Sequence, residues 1–248
     1  MRDHSLLQSL FDRKSVRAFT DRPVPDEIRH LIIDAGIQAP SAGNQQLYTI
    51  LDIDDQAIKD RLAELCDHQP FVARAPFVLV FLADTRRWLD AYRAAGLAVR
   101  DPGPGDLLLA CADALIAAQN MVAAASLLGL GSCYIGDVLE NREEMTELLG
   151  LDPLVLPVTL LVFGYPAPEQ AARAKPPRPR REYLVQKNRY TPRTGAELRA
   201  LHGELNPGED YDSWMAAFCE RKYMSGFARE MNRSAGEYLK AFYSAPGP

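Results

Sequence analysis

The stretch from Asp106 to Asp137 limits the possible folds of this chain more than any other part. Its first 24 residues are almost wholly apolar or small. The interruptions are Asp113, Gln119, Asn120 and Ser126. A helix that is apolar all round is expected to be buried on every side. About 20 apolar residues can also cross a bilayer, but a charge at that depth is costly. We therefore predict the central helix of a soluble core, and leave open whether two subunits share it.

Glycines mark the end of this helix. Gly129 and Gly131 follow the last apolar turn, and glycine is the usual residue just beyond a helix C-terminus. Residues 132–136, SCYIG, then predict a short buried strand that leads into a loop at Gly136 and Asp137.

The composition is that of an ordinary globular protein. The 248 residues are 47% hydrophobic and 25% charged, enough for one large domain or two small ones. The net charge of −5 gives no general attraction to nucleic acid or to an anionic membrane. Neither is therefore expected as a partner.

Four cysteines are scattered without a C-x-x-C spacing: Cys66, Cys111, Cys133 and Cys219. This pattern predicts reduced thiols rather than a disulfide or zinc framework, and no metal site. The N-terminal segment is charged where a signal peptide needs a continuous apolar stretch. The expected compartment is the cytoplasm.

Hydrophobic periodicity outlines a chain that mixes helices and strands. Helices are predicted at residues 5–11, 26–39, 56–66, 84–95 and 142–149, and over most of 195–242. Strands are predicted at 47–53, 75–83 and 156–165. Asn141, with Glu144 three residues later, resembles a capping box at the start of the helix at 142.

The segment from Arg13 to Arg17 places three cations and a hydroxyl within five residues. In extended geometry Arg13, Ser15 and Arg17 point to one side. Guanidinium groups and a hydroxyl suit a dianionic phosphate. Taken alone, the segment fits a solvated basic loop better than a phosphate site.

Two further loops carry polar groups that could serve a ligand. Residues 40–46, PSAGNQQ, place amides and a hydroxyl just before a strand. These groups could form hydrogen bonds with a heterocyclic ligand, or the segment could simply form a turn. Residues 171–181 are basic and rich in proline, and prolines hold such a loop extended. Lys175, Arg178 and Arg180 are then either presented to a ligand or merely solvated.

Together these segments resemble the nitroreductase and flavin reductase family, and most closely its NADPH-dependent, oxygen-insensitive nitroreductases and FMN reductases. The resemblance rests on RKSVR at 13–17 followed by FTD, APSAGNQQ at 39–46, GLGSCYIG at 129–136, and YLVQKNRY at 183–190 after the basic loop. These motifs occur in the order and spacing of the family over about residues 5–192.

The resemblance implies an α+β sandwich with a mixed central sheet, flanking helices and a long buried central helix, assembled as an intertwined homodimer with FMN at the interface. It divides the chain into an FMN-binding domain, residues 1–192, and a helical C-terminal extension, residues 193–248. The resemblance also implies which residues contact FMN. The phosphate and ribityl chain would be bound by Arg13, Lys14, Ser15 and Arg17, and the flavin ring by Gln69 and by the partner's loop, with Pro40, Ser41, Ala42, Asn44 and Gln46. Beside N5 of the flavin would lie Ile135, Gly136 and Asp137, and near the phosphate or the pyrimidine edge would lie Lys175 and Arg178.

Two departures from the family pattern stand out. Asp137 follows Gly136 where a second glycine is usual, and the usual Lys-Pro-Arg is stretched to Lys175-Pro-Pro-Arg178. In relatives the region beyond the core covers the active site or the partner subunit, and its arginines can select NADPH over NADH.

The implied activity is that of an FMN-dependent oxidoreductase. NADPH or NADH would donate two electrons, and nitroaromatics, quinones or free flavin would accept them by ping-pong hydride transfer. The flavin would carry the chemistry, so no catalytic side chain is assigned. The alternatives are a specialised member of the family, such as a reductive dehalogenase or a flavin-cleaving enzyme, or an FMN-binding storage protein without turnover.

Overall fold

The computed structural model describes residues 5–245, so the first four residues of the charged N-terminus lie outside it. The helices are α1 (Ser5–Asp12), α2 (Asp26–Ile37), α3 (Gln56–Leu65), α4 (Pro70–Arg74), α5 (Arg86–Ala94), α6 (Pro104–Leu127), α7 (Arg142–Leu149), α8 (Pro168–Ala172), α9 (Arg181–Leu184), α10 (Gly195–Leu205), α11 (Tyr211–Lys222) and α12 (Gly226–Ser244). The strands are β1 (Tyr48–Asp52), β2 (Phe77–Asp84), β3 (Gly131–Ile135) and β4 (Val155–Gly164). The predicted strands and long helices are confirmed to within a few residues, whereas the short helices α4, α8 and α9 were not predicted.

The four strands form one sheet in the order β1-β2-β4-β3. Each neighbouring pair is antiparallel, with Tyr48 opposite Ala83 and Gly131 opposite Gly164. A mixed sheet was expected. Within residues 5–245 its parallel component is a single bridge between Ser15 and Ser132, which places the N-terminal segment along β3. The α+β class is confirmed.

Side chains on alternate positions of the strands feed two separate cores, as the two-residue period of a strand requires. On one face Phe77, Leu79 and Phe81 of β2 pack with residues of α6 such as Ala118 and Met121. On the other face Val78 and Val80 pack with side chains of α3 and α7. The sheet is therefore covered on both faces.

Helix α6 is not buried on every side within one chain. Ala114, Ala117 and Ala118 are fully buried against the sheet. On the same helix Leu108 is 70% exposed, and Leu109, Leu115 and Ile116 are 50%, 44% and 40% exposed. Within one chain the sheet and α2 cover one side of the helix, so burial on every side stays a prediction for an assembly of two chains. The helix is long and apolar enough to cross a membrane, a test that a core helix also passes.

The end of α6 follows the prediction. The helix stops at Leu127, and Gly129 adopts the left-handed conformation with φ of +80°. The backbone N–H of Leu130 then donates to the carbonyl of Ala125 at 2.8 Å. This turn directs the chain straight into β3.

Two glycines allow the N-terminal segment to lie against the sheet. A Cβ atom on Gly131 would lie 2.5 Å from Cγ2 of Val16, and one on Gly164 would lie 2.7 Å from Cδ1 of Phe19. The backbone N–H of Val16 donates to the carbonyl of Ser132 at 2.9 Å. Residues 13–19 can therefore cover the β3 edge because these positions lack side chains.

By contacts, the described chain groups into two compact units. The first runs up to Arg173 and resumes at Glu230, and the second comprises Ala174–Arg229. In the second unit, His202 of α10 packs against Trp214 of α11, with ring centroids 4.7 Å apart. The last helix, α12, thus belongs mostly to the first unit, a grouping that differs from a division at residue 192.

The variant Gly131→Ala tests how the β3 edge is covered. The added methyl group overlaps Val16, so we expect a loss of about 1–3 kcal/mol in the free energy of unfolding, the usual cost of overpacking. Denaturant unfolding measures this change. Gly105→Ala is the control, since a Cβ atom there meets nothing within 4 Å. Equal stability of Gly131→Ala and the wild type would contradict the close approach.

Candidate functional site

The first half of the candidate site is the segment from Arg13 to Arg17 beside β3. Val16 is buried, with 4% of its surface exposed, and alternation turns the flanking side chains of Ser15 and Arg17 the other way. Arg13 still continues helix α1, because its backbone N–H donates to the carbonyl of Ser9 at 3.0 Å. Burial raises the pKa of the Cys133 thiol, whereas Arg17, Ser15 and Arg13 act to lower it. Ser15 and Arg17 therefore both approach Cys133 of β3, and the role of residues 13–17 at a phosphate stays a prediction.

Lys14 points elsewhere. Its ammonium group donates to the carbonyl of Ala171 at 2.7 Å and to that of Arg173. The backbone N–H of Arg17 donates to Oε1 of Gln170 at 3.0 Å. These contacts fasten α8 to the N-terminal segment, and they give Lys14 carbonyl partners that the pentapeptide pattern did not suggest.

The turn between α3 and α4 lies close to the same segment. Gln69 immediately precedes α4, and its side-chain amide donates to the carbonyl of Cys66 at 2.8 Å. The guanidinium carbon of Arg17 lies 6.0 Å from the ring centroid of Phe71. Arg17 therefore approaches helix α4, and the contact of Gln69 with the flavin stays a prediction.

The turn after β3 forms the next part of the site. Ile135 is buried, and Gly136–Leu139 forms a single 3-10 turn. A Cβ atom on Gly136 would meet nothing within 4 Å, so the space in front of this backbone is open. A flat ligand can approach the main chain here without displacing a side chain.

A buried acid closes this turn, and sequence reasoning missed it. The backbone N–H of Glu140 donates to the carbonyl of Asp137 at 2.9 Å. The side chain is 5% exposed, and its Oε2 has no hydrogen-bond partner among the residues described. Burial first, and then the carboxylates of Asp137, Asp67 and Glu230, raise the pKa of Glu140 to about 7. No periodicity or motif signals a buried acid at this position.

The predicted capping box next to Glu140 is wrong. Asn141 has a positive φ of 50° and makes no side-chain cap. Its amide donates instead to the carbonyl of Leu65 at 2.9 Å, and Glu144 pairs with Arg61 at 2.9 Å. The motif failed because tertiary partners took both side chains.

Helix α12 is fastened to the same turn. The backbone N–H of Asn141 donates to Glu230 at 3.2 Å, and that of Arg142 donates to Oγ of Ser234 at 2.9 Å. The Ser234 hydroxyl donates to the carbonyl of Leu139 at 2.5 Å. Arg233 pairs with Glu230 and Glu143, each at 2.8 Å. The C-terminal helix thus helps to hold the turn in place.

The variant Glu140→Gln tests the buried acid. The pKa of Glu140 is raised from 4.5 to about 7, so the folded chain binds this proton more tightly than the unfolded chain. The free energy of unfolding should then fall as the pH rises from about 4.5 to about 7, the range between the two pKa values. The glutamine variant should lose that fall and gain about 1–3 kcal/mol at pH 8, the cost of an unsatisfied buried group. Urea unfolding across pH measures this difference. Glu147→Gln, an exposed change on α7, is the control, and a variant that parallels the wild type at every pH would contradict the assignment.

The second half of the candidate site is the loop of residues 40–46. Asp113 of α6 is 3% exposed, and its carboxylate accepts from the backbone N–H of Ala42 at 2.9 Å and from that of Leu47 at 3.2 Å. Asp113, the charge that made a membrane span unfavourable, therefore stabilises this loop. It anchors both ends of the loop to the central helix.

Further hydrogen bonds fix the interior of the loop. The Oγ of Ser41 accepts from the backbone N–H of Gln46 at 3.1 Å, and the Gln46 amide donates to Asn44 at 2.8 Å. Trp88 and Arg87 of α5 donate to the carbonyl of Gln45 at 2.7 Å and 3.1 Å. Asn44 and Gln46 adopt positive φ values of 57° and 48°. Such conformations persist only where surrounding contacts enforce them.

The two halves lie at opposite corners of the sheet within one chain. The loop leads into Tyr48 on the β1 edge, at the end of the sheet marked by Ala83 and Leu156. Ser15 lies beyond the β3 edge, towards the opposite end. Three strand spacings already separate the two edges by roughly 14 Å. One chain therefore does not bring residues 13–17 and 40–46 to the same ligand.

Each half borders open space. A cavity of about 670 Å³ is lined by Arg17, Phe71, Lys59 and Arg74, among others. Burial, and secondarily Arg29, lowers the pKa of Lys59. A second cavity, of about 380 Å³, lies beside Gln45 and includes Trp88 and Tyr92. The two candidate halves are thus accessible to small molecules.

Comparison with known proteins decides the family. A model of the nitroreductase family matches residues 10–165. The chain belongs to the nitroreductase family. It is 31% identical to the FMN reductase (NAD(P)H) of Bacillus subtilis, over 97% of this chain and 93% of that protein. It is 37% identical to the oxygen-insensitive NADPH nitroreductase of Salmonella typhimurium, over 75% of each chain. The structure of the NADPH:FMN oxidoreductase of Vibrio harveyi, complexed with NAD⁺, matches with a TM-score of 0.74 and 27% identity, over 96% of this chain and 97% of that one.

The nitroreductase segment includes three of the four motifs that carried the resemblance. The fourth, at 183–190, lies in the second structural unit, as do residues 174–181 of the basic loop. There Arg178 donates to the carbonyls of Pro176 and Pro177, and Arg180 pairs with Glu204 at 2.6 Å. The assignment of Lys175 and Arg178 to the cofactor stays a prediction. Among residues 5–245, no group of three or more His, Cys, Asp or Glu side chains is arranged to hold a metal.

The variant Asp113→Asn tests the anchoring of the loop. Asparagine turns one acceptor into a donor that faces a backbone N–H, so we expect a loss of about 1–3 kcal/mol. Hydrogen exchange at the amides of Ala42 and Leu47 should accelerate. Asp34→Asn, an exposed change on α2, serves as the control. Unchanged exchange at both amides would show that the loop is held by other contacts.

Proposed function

We propose that this nitroreductase-family chain is an FMN-dependent NAD(P)H oxidoreductase that reduces nitroaromatics, quinones or free flavin by two electrons. One observation carries the proposal. The basic segment from Arg13 to Arg17 runs beside the strand that ends in the open Gly136 turn. The names and activities of the FMN reductase and nitroreductase relatives support it.

The residues present fit FMN chemically. Two guanidinium groups and a hydroxyl match the donors that a phosphate requires. The side-chain amide of Gln69 and the open backbone at Gly136 suit a flat ring edged with carbonyl and N–H groups. The assignments of Lys14, Ile135, Asp137, Lys175 and Arg178 to FMN rest on the family resemblance.

When bound, FMN supplies the redox chemistry between the nicotinamide nucleotide and the acceptor. The protein binds and orients. Arg13, Ser15 and Arg17 hold the phosphate and ribityl chain, and nearby cations and N–H donors stabilise negative charge that develops in the site. No side chain is proposed as an essential acid or base.

We further propose that the active form is a homodimer in which each site is completed by the loop of residues 40–46 from the second copy. The exposed apolar face of α6 supplies a surface for the contact, since large patches of this kind are uncommon on monomers. The separation of the two halves within one chain supports the same assembly.

The remaining proposals are general. The enzyme acts in the cytoplasm on small molecules, without nucleic acid or membrane as a partner. No observation favours the dehalogenase, flavin-cleaving or storage alternatives.

A visible spectrum of the purified protein, recorded without oxygen before and after addition of NADPH, tests the activity. A bound-flavin spectrum that bleaches supports the proposal. A flavin spectrum that persists, with no oxidation of NADPH when a quinone is added, would favour a storage protein. Absence of flavin after soaking with FMN would overturn the cofactor assignment.

The variant Arg17→Ala tests the phosphate contact. Loss of a charge-assisted hydrogen bond costs roughly 1.5–3 kcal/mol, so the dissociation constant for FMN should rise roughly 10- to 150-fold. Flavin fluorescence titration measures it. Lys187→Ala removes the same charge from an exposed side chain and should leave the affinity unchanged. Wild-type affinity in Arg17→Ala would remove Arg17 from the site.

The variant Ile116→Glu tests the dimer. A charge on the apolar face of α6 should shift the protein to monomers and release FMN together with dissociation, because burying an unpaired carboxylate is costly. Sedimentation and flavin absorbance report both changes. Leu184→Glu, at an exposed leucine outside α6, is the control. A monomer that retains FMN would contradict a shared site.

A further inference from the structure

The turn at Gly136–Asp137 carries a feature that nitroreductase chemistry leaves unused. Glu140 is almost fully buried, and its Oε2 has no hydrogen-bond partner among the residues described. Buried carboxyl groups ordinarily have partners. A buried acid without one holds its proton more readily than an exposed acid. This side chain is therefore placed to gain and lose a proton near neutral pH.

The charges around Glu140 come from three elements and share one sign. Asp137 lies on the same turn, Asp67 on the turn between α3 and α4, and Glu230 on α12, and each raises the pKa of Glu140. The nearby cation Arg233 is bound by Glu230 and Glu143, each at 2.8 Å. Any further negative charge beside this group strengthens the hold of Glu140 on its proton.

The geometry links this proton to the turn itself. The backbone N–H of Glu140 closes the turn by donating to the carbonyl of Asp137. The next two residues, Asn141 and Arg142, donate their backbone N–H groups to side chains of α12. A change of charge at Glu140 therefore acts on a segment that is fixed at both ends. The open backbone of Gly136 begins the same turn.

We propose that Glu140 is a positioning residue that binds one solvent proton when the site gains negative charge on reduction, and releases it on reoxidation. The proposal rests on the proposed function. The electrons come from NAD(P)H, the proton passes from water to the Glu140 carboxylate, and no bond within the protein is broken. Coupling between two sites is reciprocal, so a proton on Glu140 also makes reduction more favourable.

The test is the midpoint potential of the FMN-loaded protein, measured by spectroelectrochemistry from pH 6 to pH 9. The wild type should show an inflection near neutrality, where the potential falls more steeply with pH. Glu140→Gln should lose this inflection, and Glu147→Gln, which removes an exposed carboxylate from α7, should keep it. Identical curves for the wild type and Glu140→Gln would overturn the proposal.

A second variant, Asp137→Asn, keeps the proposal testable if Glu140→Gln does not fold. Asp137→Asn removes one neighbouring negative charge, so it should shift the inflection to lower pH without abolishing it. An inflection that does not move would count against Glu140 as its origin. Infrared absorption of the protonated carboxyl in the flavin-free protein provides a readout that needs no turnover. A band that titrates near neutrality and is missing in Glu140→Gln is expected, and its absence from the wild type would overturn the proposal.

The same samples separate this inference from the proposed function. If the protein binds FMN and NADPH bleaches it, but the potentials are insensitive to Glu140, the inference alone fails. If no flavin binds, the proposed function fails, and the coupling fails with it.

Discussion

The packing of α6 across one face of the sheet is the constraint on which the rest of the structure depends. A helix of 24 residues that is apolar on all sides needs cover on all sides, and one chain covers it on one side. The alanines of the buried side allow close contact with β2 and α2. The larger side chains of the other side, such as Leu108 and Ile116, remain exposed. We propose a second copy of the chain as this cover, a proposal that the separation of the two half-sites within one chain supports.

Two buried acids beside the sheet, Asp113 and Glu140, differ in their hydrogen bonding. Asp113 accepts two backbone hydrogen bonds and fixes the loop at the β1 edge. Glu140, beyond the end of β3, has an oxygen without a partner and lies among like charges. Since a buried polar group is costly unless it is paired, the first stabilises the fold and the second stores a titratable proton. The first acid therefore shapes the binding surface, whereas the second can respond to what binds.

The sequence was sufficient for the elements and for the family, because both depend on local signals. Periodicity located the strands and the long helices, and Gly129 marked the end of α6. Alternation predicted that Ser15 and Arg17 share one side, and both approach Cys133. Features set by distant contacts could not be predicted in this way. The exposed side of α6, the carbonyl partners of Lys14, the failed cap at Asn141 and the burial of Glu140 all depend on which residues meet across the fold.

The central claim is that each cofactor site joins the basic segment of one chain to the loop of another. Subunit complementation tests it most directly. One tagged chain carries Arg17→Ala, and a differently tagged chain has residues 41–46 replaced by a glycine–serine linker of equal length. If sites are shared, purified mixed dimers recover one site with both halves intact and bind one FMN per dimer, although each parent binds little. If both halves belong to the same chain, every site in the mixed dimer is damaged and no FMN binding returns, which would contradict the account.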